Sequence, residues 1–87
     1  MNPSAFAPSD VVITAFIEPD ARNRVVEFVV DSGEFFSSSM AELDGDRAPR
    51  QKRVIYRRLP AGAYEIRVTL IGIDGERGIA VRRVALQ

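Results

Sequence analysis

The feature that most constrains this chain is a turn that leads directly into a cleanly alternating strand. Residues 59–64 read Leu-Pro-Ala-Gly-Ala-Tyr, and residues 64–70 then alternate between apolar and polar side chains. Proline and glycine are typical of a turn, and a period of two is typical of a strand with one buried face. A tyrosine at the first inward position indicates a tyrosine corner, where the chain of a β-sandwich passes between its sheets. Leu59, Gly62 and Tyr64 are therefore predicted to be structural residues of this corner.

The rest of the chain also alternates with a period of two, and no segment of helical length shows a period of 3.6. Six predicted strands with turns between them favour an all-β, antiparallel β-sandwich of six to seven strands. The strand at residues 35–43 carries three serines and fits the edge of a sheet. In the last strand the apolar parity changes, so we predict a one-residue bulge at Arg82 and Arg83. The predicted strands are residues 11–17, 24–31, 35–43, 53–59, 64–70 and 79–86.

The length of 87 residues fits one small domain with a single core. We expect residues 11–87 to form the sandwich and residues 1–10, with two prolines and several small side chains, to form an N-terminal arm. No segment approaches the roughly 20 apolar residues that span a bilayer, so no membrane span is predicted. The compartment stays open: cytoplasmic if Met1 is the native start, and extracytoplasmic if the chain is a module of a surface or periplasmic protein.

The last three predicted strands, with the Leu-x-x-Gly-x-Tyr corner between them, resemble the last three strands of fibronectin type III and bacterial Ig-like domains. The resemblance covers residues 53–87, and residues 26–32 and 35–43 resemble the middle strands of Ig-like modules in bacterial surface and periplasmic proteins. The chain departs from the pattern because it has no tryptophan and no cysteine pair, and Phe28 is the predicted substitute for the packing tryptophan. The resemblance implies an Ig-like fold and a role in interaction or spacing.

The residue types exclude several classes of activity. The chain has neither histidine nor cysteine, which removes the base of a Ser-His-Asp triad, cysteine nucleophiles and thiolate zinc sites. We therefore predict no enzyme, no cofactor and no metal site. A carbohydrate- or calcium-dependent binding module remains an alternative, because many β-sandwiches bind such ligands and Asp44 and Asp46 in a long loop carry carboxylate oxygens.

Charge is segregated along the chain, although the formal net charge is zero. Residues 1–46 carry nine acids and two arginines, whereas residues 47–87 carry ten bases and three acids. This asymmetry indicates either pairing between the two halves within the fold or an interface that uses the planar guanidinium group.

A run of basic residues around Tyr56 is the candidate partner-binding surface. Basic residues with an interleaved aromatic are also typical of single-stranded nucleic-acid binding, but a net charge of zero makes nucleic acid the less favoured partner. The alternative is that these side chains pair with Glu27, Glu42 or Glu65 within the fold. We predict a non-enzymatic module that contacts protein partners. A second hypothesis is a small accessory subunit of a larger assembly, docked through this run and the arm. The candidate residues are Arg47, Arg50, Lys52, Arg53, Arg57 and Arg58.

Overall fold

Strands account for most of the chain. The computed structural model describes residues 4–5 and 8–87, and it gives side chains for residues 8–87. One 3-10 turn, Gly45–Arg47, is the only helical element in this described part, which contains no helix long and apolar enough to cross a membrane. The strands are β1 Ser4–Ala5, β2 Ser9–Phe16, β3 Asn23–Asp31, β4 Phe36–Glu42, β5 Gln51–Leu59, β6 Gly62–Gly72 and β7 Gly75–Leu86.

The strands form two sheets, which confirms the predicted all-β sandwich. The larger sheet has the antiparallel order β7-β6-β3-β4, and the two-residue β1 adds to β7 in parallel at Ala85 and Leu86. In the smaller sheet β2 pairs antiparallel with β5. The serine-rich β4 lies at an edge, as predicted. Of the predicted arm, residues 1–3 and 6–7 lie outside the described residues, whereas Ser9 and Asp10 begin β2.

The inner face of β3 is the centre of the core. Val26 and Val30 have no exposed surface, and Phe28 between them is 3% exposed. These three side chains lie on one face because successive residues of a strand point to opposite sides. Ile13 and Ala15 of β2 belong to the same buried cluster, which places the smaller sheet over β3.

The residues of the predicted corner connect the two sheets. Leu59 ends β5 in the smaller sheet, and Gly62 begins β6 in the larger one. The Tyr64 hydroxyl donates a hydrogen bond of 2.8 Å to the carbonyl oxygen of Pro60, and Tyr64 is 2% exposed. The Phe35 ring packs edge-on against the Tyr64 ring, with 6.2 Å between their centroids. The tyrosine thus holds the crossover at its hydroxyl and fills the core with its ring.

The predicted bulge at Arg82 and Arg83 is wrong. Strand β7 pairs with β6 without interruption through both arginines, and Ile79 and Val81 point to the outer face of the larger sheet. They remain 54% and 40% exposed. The prediction assumed that every apolar residue of β7 is buried, but most of this strand lies beyond the reach of the smaller sheet.

The irregularity of β7 lies instead at Arg77, near the β6–β7 hairpin. The register shifts between Leu70 and Ile71 of β6, and Arg77 is the extra residue on β7. Its side chain crosses Gly72, where an added Cβ would lie 2.5 Å from the Arg77 Cδ. The bulge and the glycine together let Arg77 reach the Asp20 carboxylate at 2.7 Å.

A second bulge joins β2 to β5 next to the corner. Ser9 pairs with Leu59 and Val11 with Tyr56, so two residues of β5 lie opposite Asp10. One of them, Arg58, has a φ of 55°, and its backbone N–H donates to Asp10 Oδ1 at 2.8 Å. The Asp10 carboxylate therefore supports a left-handed backbone conformation that a glycine would adopt with less strain.

We expect Tyr64→Phe to lower the free energy of unfolding by about 0.5–1.5 kcal/mol, because the hydrogen bond to the Pro60 carbonyl oxygen is lost. Urea denaturation of both proteins measures the difference. A loss below about 0.3 kcal/mol, smaller than the net value of an ordinary hydrogen bond, would show that the hydroxyl does not stabilise the corner.

We expect Arg58→Gly to leave the free energy of unfolding unchanged or to raise it by up to about 1 kcal/mol, because the left-handed conformation costs a non-glycine residue about that much. The matched control is Arg57→Gly at the neighbouring position, which lacks a positive φ and should lose about 0.5–1 kcal/mol. Asp10→Ala should lose about 1 kcal/mol with the hydrogen bond to Arg58. If Arg57→Gly and Arg58→Gly lower the free energy of unfolding equally in urea denaturation, the backbone at Arg58 is not strained.

Candidate functional site

The predicted basic run does not form one cluster. Arg53 and Arg57 lie on the outer face of the smaller sheet, together with Ile55 between them. The other basic residues take different positions: Arg47 in the 3-10 turn, Arg50 just before β5, Lys52 on the inward parity of β5, and Arg58 in the bulge.

The glutamates expected to pair with this run are the wrong partners. Arg57 Nη1 lies 3.5 Å from Asp10 Oδ2 on the neighbouring strand, and this is the one ion pair that the run makes among residues 8–87. Glu65 instead pairs with Arg67 at 3.3 Å and Arg83 at 3.5 Å. The physical reason is the thickness of the sandwich: the three glutamates lie on the outer face of the larger sheet, whereas the run lies in and around the smaller sheet.

Tyr56 is part of the core and not an exposed aromatic. It is 9% exposed, and its hydroxyl lies 2.7 Å from Ser39 Oγ on β4. It also donates to the Phe28 carbonyl oxygen at 3.3 Å, which leaves Ser39 as the donor in the first contact. This chain of hydrogen bonds joins the smaller sheet to two strands of the larger one. Tyr56 therefore cannot supply the stacking platform that nucleic-acid binding requires.

The strongest surface feature is an apolar patch on the outer face of the smaller sheet. Val12 and Ile55 are paired across β2 and β5, and they are 50% and 38% exposed. Phe16, four residues along β2 on the same face, is 80% exposed. Together with Arg53 and Arg57, these residues are called the outward patch. Sequence reasoning missed it because residues 11–17 are apolar at both parities, which conceals the exposed face.

The outer face of the larger sheet is less continuous. Its exposed apolar residues lie on the two edge strands, Phe36 and Met40 on β4 and Ile79 and Val81 on β7. The two central strands between them present charged side chains such as Glu65. A partner would therefore have to bury these charges to contact both apolar edges.

Of the two residues considered above as calcium ligands, Asp44 precedes the 3-10 turn and Asp46 lies within it. Among residues 8–87, no group of three or more potential metal ligands of the Asp, Glu, His or Cys type comes together. Asp31, near another turn, accepts a hydrogen bond from the Gly33 backbone at 2.8 Å.

Asp20 is the centre of the strongest charge network. Its carboxylate accepts hydrogen bonds from the Arg22 backbone N–H at 2.8 Å, from Arg22 Nε at 3.1 Å and from Arg77 Nη2 at 2.7 Å. The side-chain and backbone hydrogen bonds from Arg22 hold the pKa of Asp20 well below its ordinary value of 3.8, and the charge of Arg77 acts in the same direction. The network ties the β2–β3 loop to β7 at the end of the molecule opposite the tyrosine corner.

We expect the stabilising effect of Asp20 to depend on pH. Because its pKa is lower in the folded state, the effect is fully present above about pH 4 and declines as the carboxylate becomes protonated at lower pH. The melting temperature of Asp20→Asn should therefore lie below that of the parent at pH 7, and the gap should narrow as the pH falls toward 2. The control is Asp44→Asn, whose carboxylate makes no capping hydrogen bond. If the difference in melting temperature between the parent and Asp20→Asn does not change with pH, the Asp20 carboxylate does not stabilise the fold through its charge.

Comparisons of the chain with protein-family models, with curated proteins and with solved structures find no match. Function is therefore inferred from the surfaces of the chain itself.

Proposed function

We propose that this chain is a non-enzymatic interaction module of Ig-like type that contacts a protein partner through the outward patch. The observation that carries the proposal is that Val12, Ile55 and Phe16 are all exposed on one face, with arginines beside them. The resemblance of residues 53–87 to Ig-like and fibronectin type III domains supports the same role, since a corner tyrosine indicates a rigid scaffold that presents its faces to other molecules.

The composition of the outward patch is that of a protein interface. Aromatic residues and arginine are enriched in such interfaces, and hot-spot residues lie where a partner excludes water. Phe16 is 80% exposed, so nearly all of its ring area is available to a partner. Burying such a ring yields roughly 25 cal/mol for each Å² of apolar surface removed from water.

The arginines define the chemistry of the partner. Arg53 makes no ion pair among the described residues, and Arg57 makes one at 3.5 Å to a carboxylate that is itself half exposed. A guanidinium group binds a carboxylate in bidentate geometry. The partner that fits is therefore an apolar surface bordered by aspartate or glutamate.

A second form of the same function is a permanent subunit of a larger assembly. The same patch would then be buried in the assembled particle, with Arg53 and Arg57 as docking residues. Both forms use the same surface, and they differ in how long the contact lasts. A fixed stoichiometry in an isolated complex would indicate the permanent subunit.

The outward patch can be tested by retention of partners from an extract of the source cells on the immobilised chain, quantified by mass spectrometry. We expect Ile55→Asp and Arg53→Glu each to reduce recovery of the same proteins by about tenfold, which corresponds to about 1.4 kcal/mol of binding energy. Arg53→Glu keeps the apolar residues in place, so it separates a change in contact from a change in folding.

The matched control is Ile73→Asp, which introduces the same charge at an exposed isoleucine in the β6–β7 hairpin. Its recovery should equal that of the parent. Proteins retained equally by all four chains would show that the outward patch is not a contact surface.

A further inference from the structure

An open groove of about 420 Å³ runs along the side of β2 that faces away from β5. Strand β2 forms its wall, and the inner faces of β6 and β7 form its floor. Arg82 lies at the end nearer the tyrosine corner, and Glu18 lies at the opposite end. The floor residues are Val68, Leu70, Gly78 and Ala80.

The groove exists because burial declines across the inner face of the larger sheet. Val26 on β3 has no exposed surface, Val68 and Leu70 on β6 are only partly buried, and Ala80 on β7 is exposed. The smaller sheet thus ends above β6. Apolar side chains of the floor remain in contact with solvent, although they point to the same side as the core.

The strand beside the groove is an edge whose only charged residue in the described chain, Asp10, lies near its start. In the described chain β2 pairs only with β5, so its other side presents backbone groups with no strand partner. Residues 11–17 contain no charged side chain and no proline, which are the residues that commonly protect an edge. The free edge of β5, by comparison, carries several basic residues.

We propose that this groove binds one extended segment of another polypeptide, which adds a strand to β2 and places apolar side chains on the floor. The backbone of the segment satisfies the N–H and C=O groups of the free edge, and its alternate side chains give specificity, as in other cases of strand addition. The proposal rests on the proposed function of the chain as a protein-interaction module, but its surface shares only Phe16 with the outward patch.

The occupant is a single strand and not the sheet of a second copy. The floor strands β6 and β7 project past β2, so a second copy that paired its β2 here would bring its own larger sheet into the same space. An isolated strand meets no such obstacle. Neighbouring strands of a sheet lie about 4.8 Å apart, and the projecting floor leaves room for that step.

The floor and the ends of the groove define the sequence of the segment. Because Gly78 and Ala80 are small, the floor is deeper beside Val68 and Leu70. Branched apolar side chains at alternate positions of the segment fit there. The Arg82 guanidinium makes no ion pair in the described chain, and it donates a hydrogen bond to the neighbouring Val81 carbonyl oxygen at 2.8 Å. An acid in the segment complements Arg82, and a base complements Glu18.

The direction of the segment follows from these charges and from β2. Strand β2 runs from the corner end toward Glu18, since Ser9 pairs with Leu59. A strand antiparallel to β2 therefore begins near Glu18 and ends near Arg82, with its base first and its acid last. Antiparallel pairing is also slightly more stable per residue than parallel pairing.

The test uses the whole 87-residue chain labelled with ¹⁵N and the acetylated, amidated peptide Lys-Val-Thr-Val-Thr-Val-Glu. We expect saturable shifts of the β2, β6 and β7 amides and slower hydrogen exchange along β2 as the peptide is titrated to about 1 mM. A peptide with serine in place of its valines should bind at least about tenfold more weakly, because the apolar contacts with the floor are lost.

Two matched variants distinguish the groove from the rest of β7. Ala80→Arg projects from the exposed floor and should weaken peptide binding at least about tenfold, whereas Val81→Arg on the opposite face of the same strand should leave it unchanged. Arg82→Glu should weaken binding of the original peptide and strengthen binding of the peptide with its terminal charges exchanged. Thermal melting confirms that each variant is folded.

Absence of binding by every peptide, or shifts that map outside β2, β6 and β7, would overturn the groove proposal. Equal effects of Ala80→Arg and Val81→Arg would do the same. These outcomes leave the outward patch untouched, because its test depends on Ile55 and Arg53. Conversely, peptide binding in the groove would stand even if the outward patch retained no partner.

Discussion

The narrow sheet of β2 and β5 covers a wider sheet built on β7-β6-β3-β4, and most other features of the molecule depend on this mismatch. The narrow sheet is placed over β3, whose inner face becomes the fully buried centre of the core. Coverage declines from β3 toward β7, which is mostly exposed until its last residues, where Leu86 is buried. The same geometry explains why the core is completed at the corner end by Tyr64 and Leu86 and why it opens beside β2 at the other end.

Two polar contacts keep the narrow sheet in position. The Tyr64 hydroxyl fixes the crossover from β5 to β6, and the Tyr56 hydroxyl links β5 to Ser39 on the edge strand β4. Both tyrosines are nearly buried, so each combines apolar area with a satisfied hydroxyl. A two-stranded sheet alone is only marginally stable, and these attachments add to the apolar contacts that hold it on the larger sheet.

The sequence predicts the strands and the corner well because both depend on local patterns. Alternation identifies β3 and β6, and the Pro-Gly turn before Tyr64 identifies the crossover. It does not predict which face of β2 is buried, because Val12 and Phe16 are as apolar as their inward neighbours. The bulge predicted in β7 was wrong for a similar reason. Which apolar residues are exposed depends on how far the opposite sheet extends, and a local pattern does not contain that distance.

The basic run illustrates the same limit for the functional surface. Its residues are adjacent in sequence, but strand geometry sends Arg53 and Lys52 to opposite faces and a bulge redirects Arg58. Charge balance also suggested partners in the wrong sheet. Of the candidate partner-binding residues, Arg53 and Arg57 remain in the proposal. They matter because of the apolar residues beside them and not because of the number of positive charges.

The Arg77 side chain passes over Gly72 and reaches Asp20, so it links the hairpin to the β2–β3 loop. Any side chain at position 72 would block the route of Arg77, and without Arg77 the Asp20 carboxylate would retain only its neighbour Arg22. In chains descended from a common ancestor with this one, positions 20 and 77 are therefore expected to change together. Position 72 should stay glycine in either case, because a Cβ there would also lie 2.8 Å from the carbonyl oxygen of Arg22.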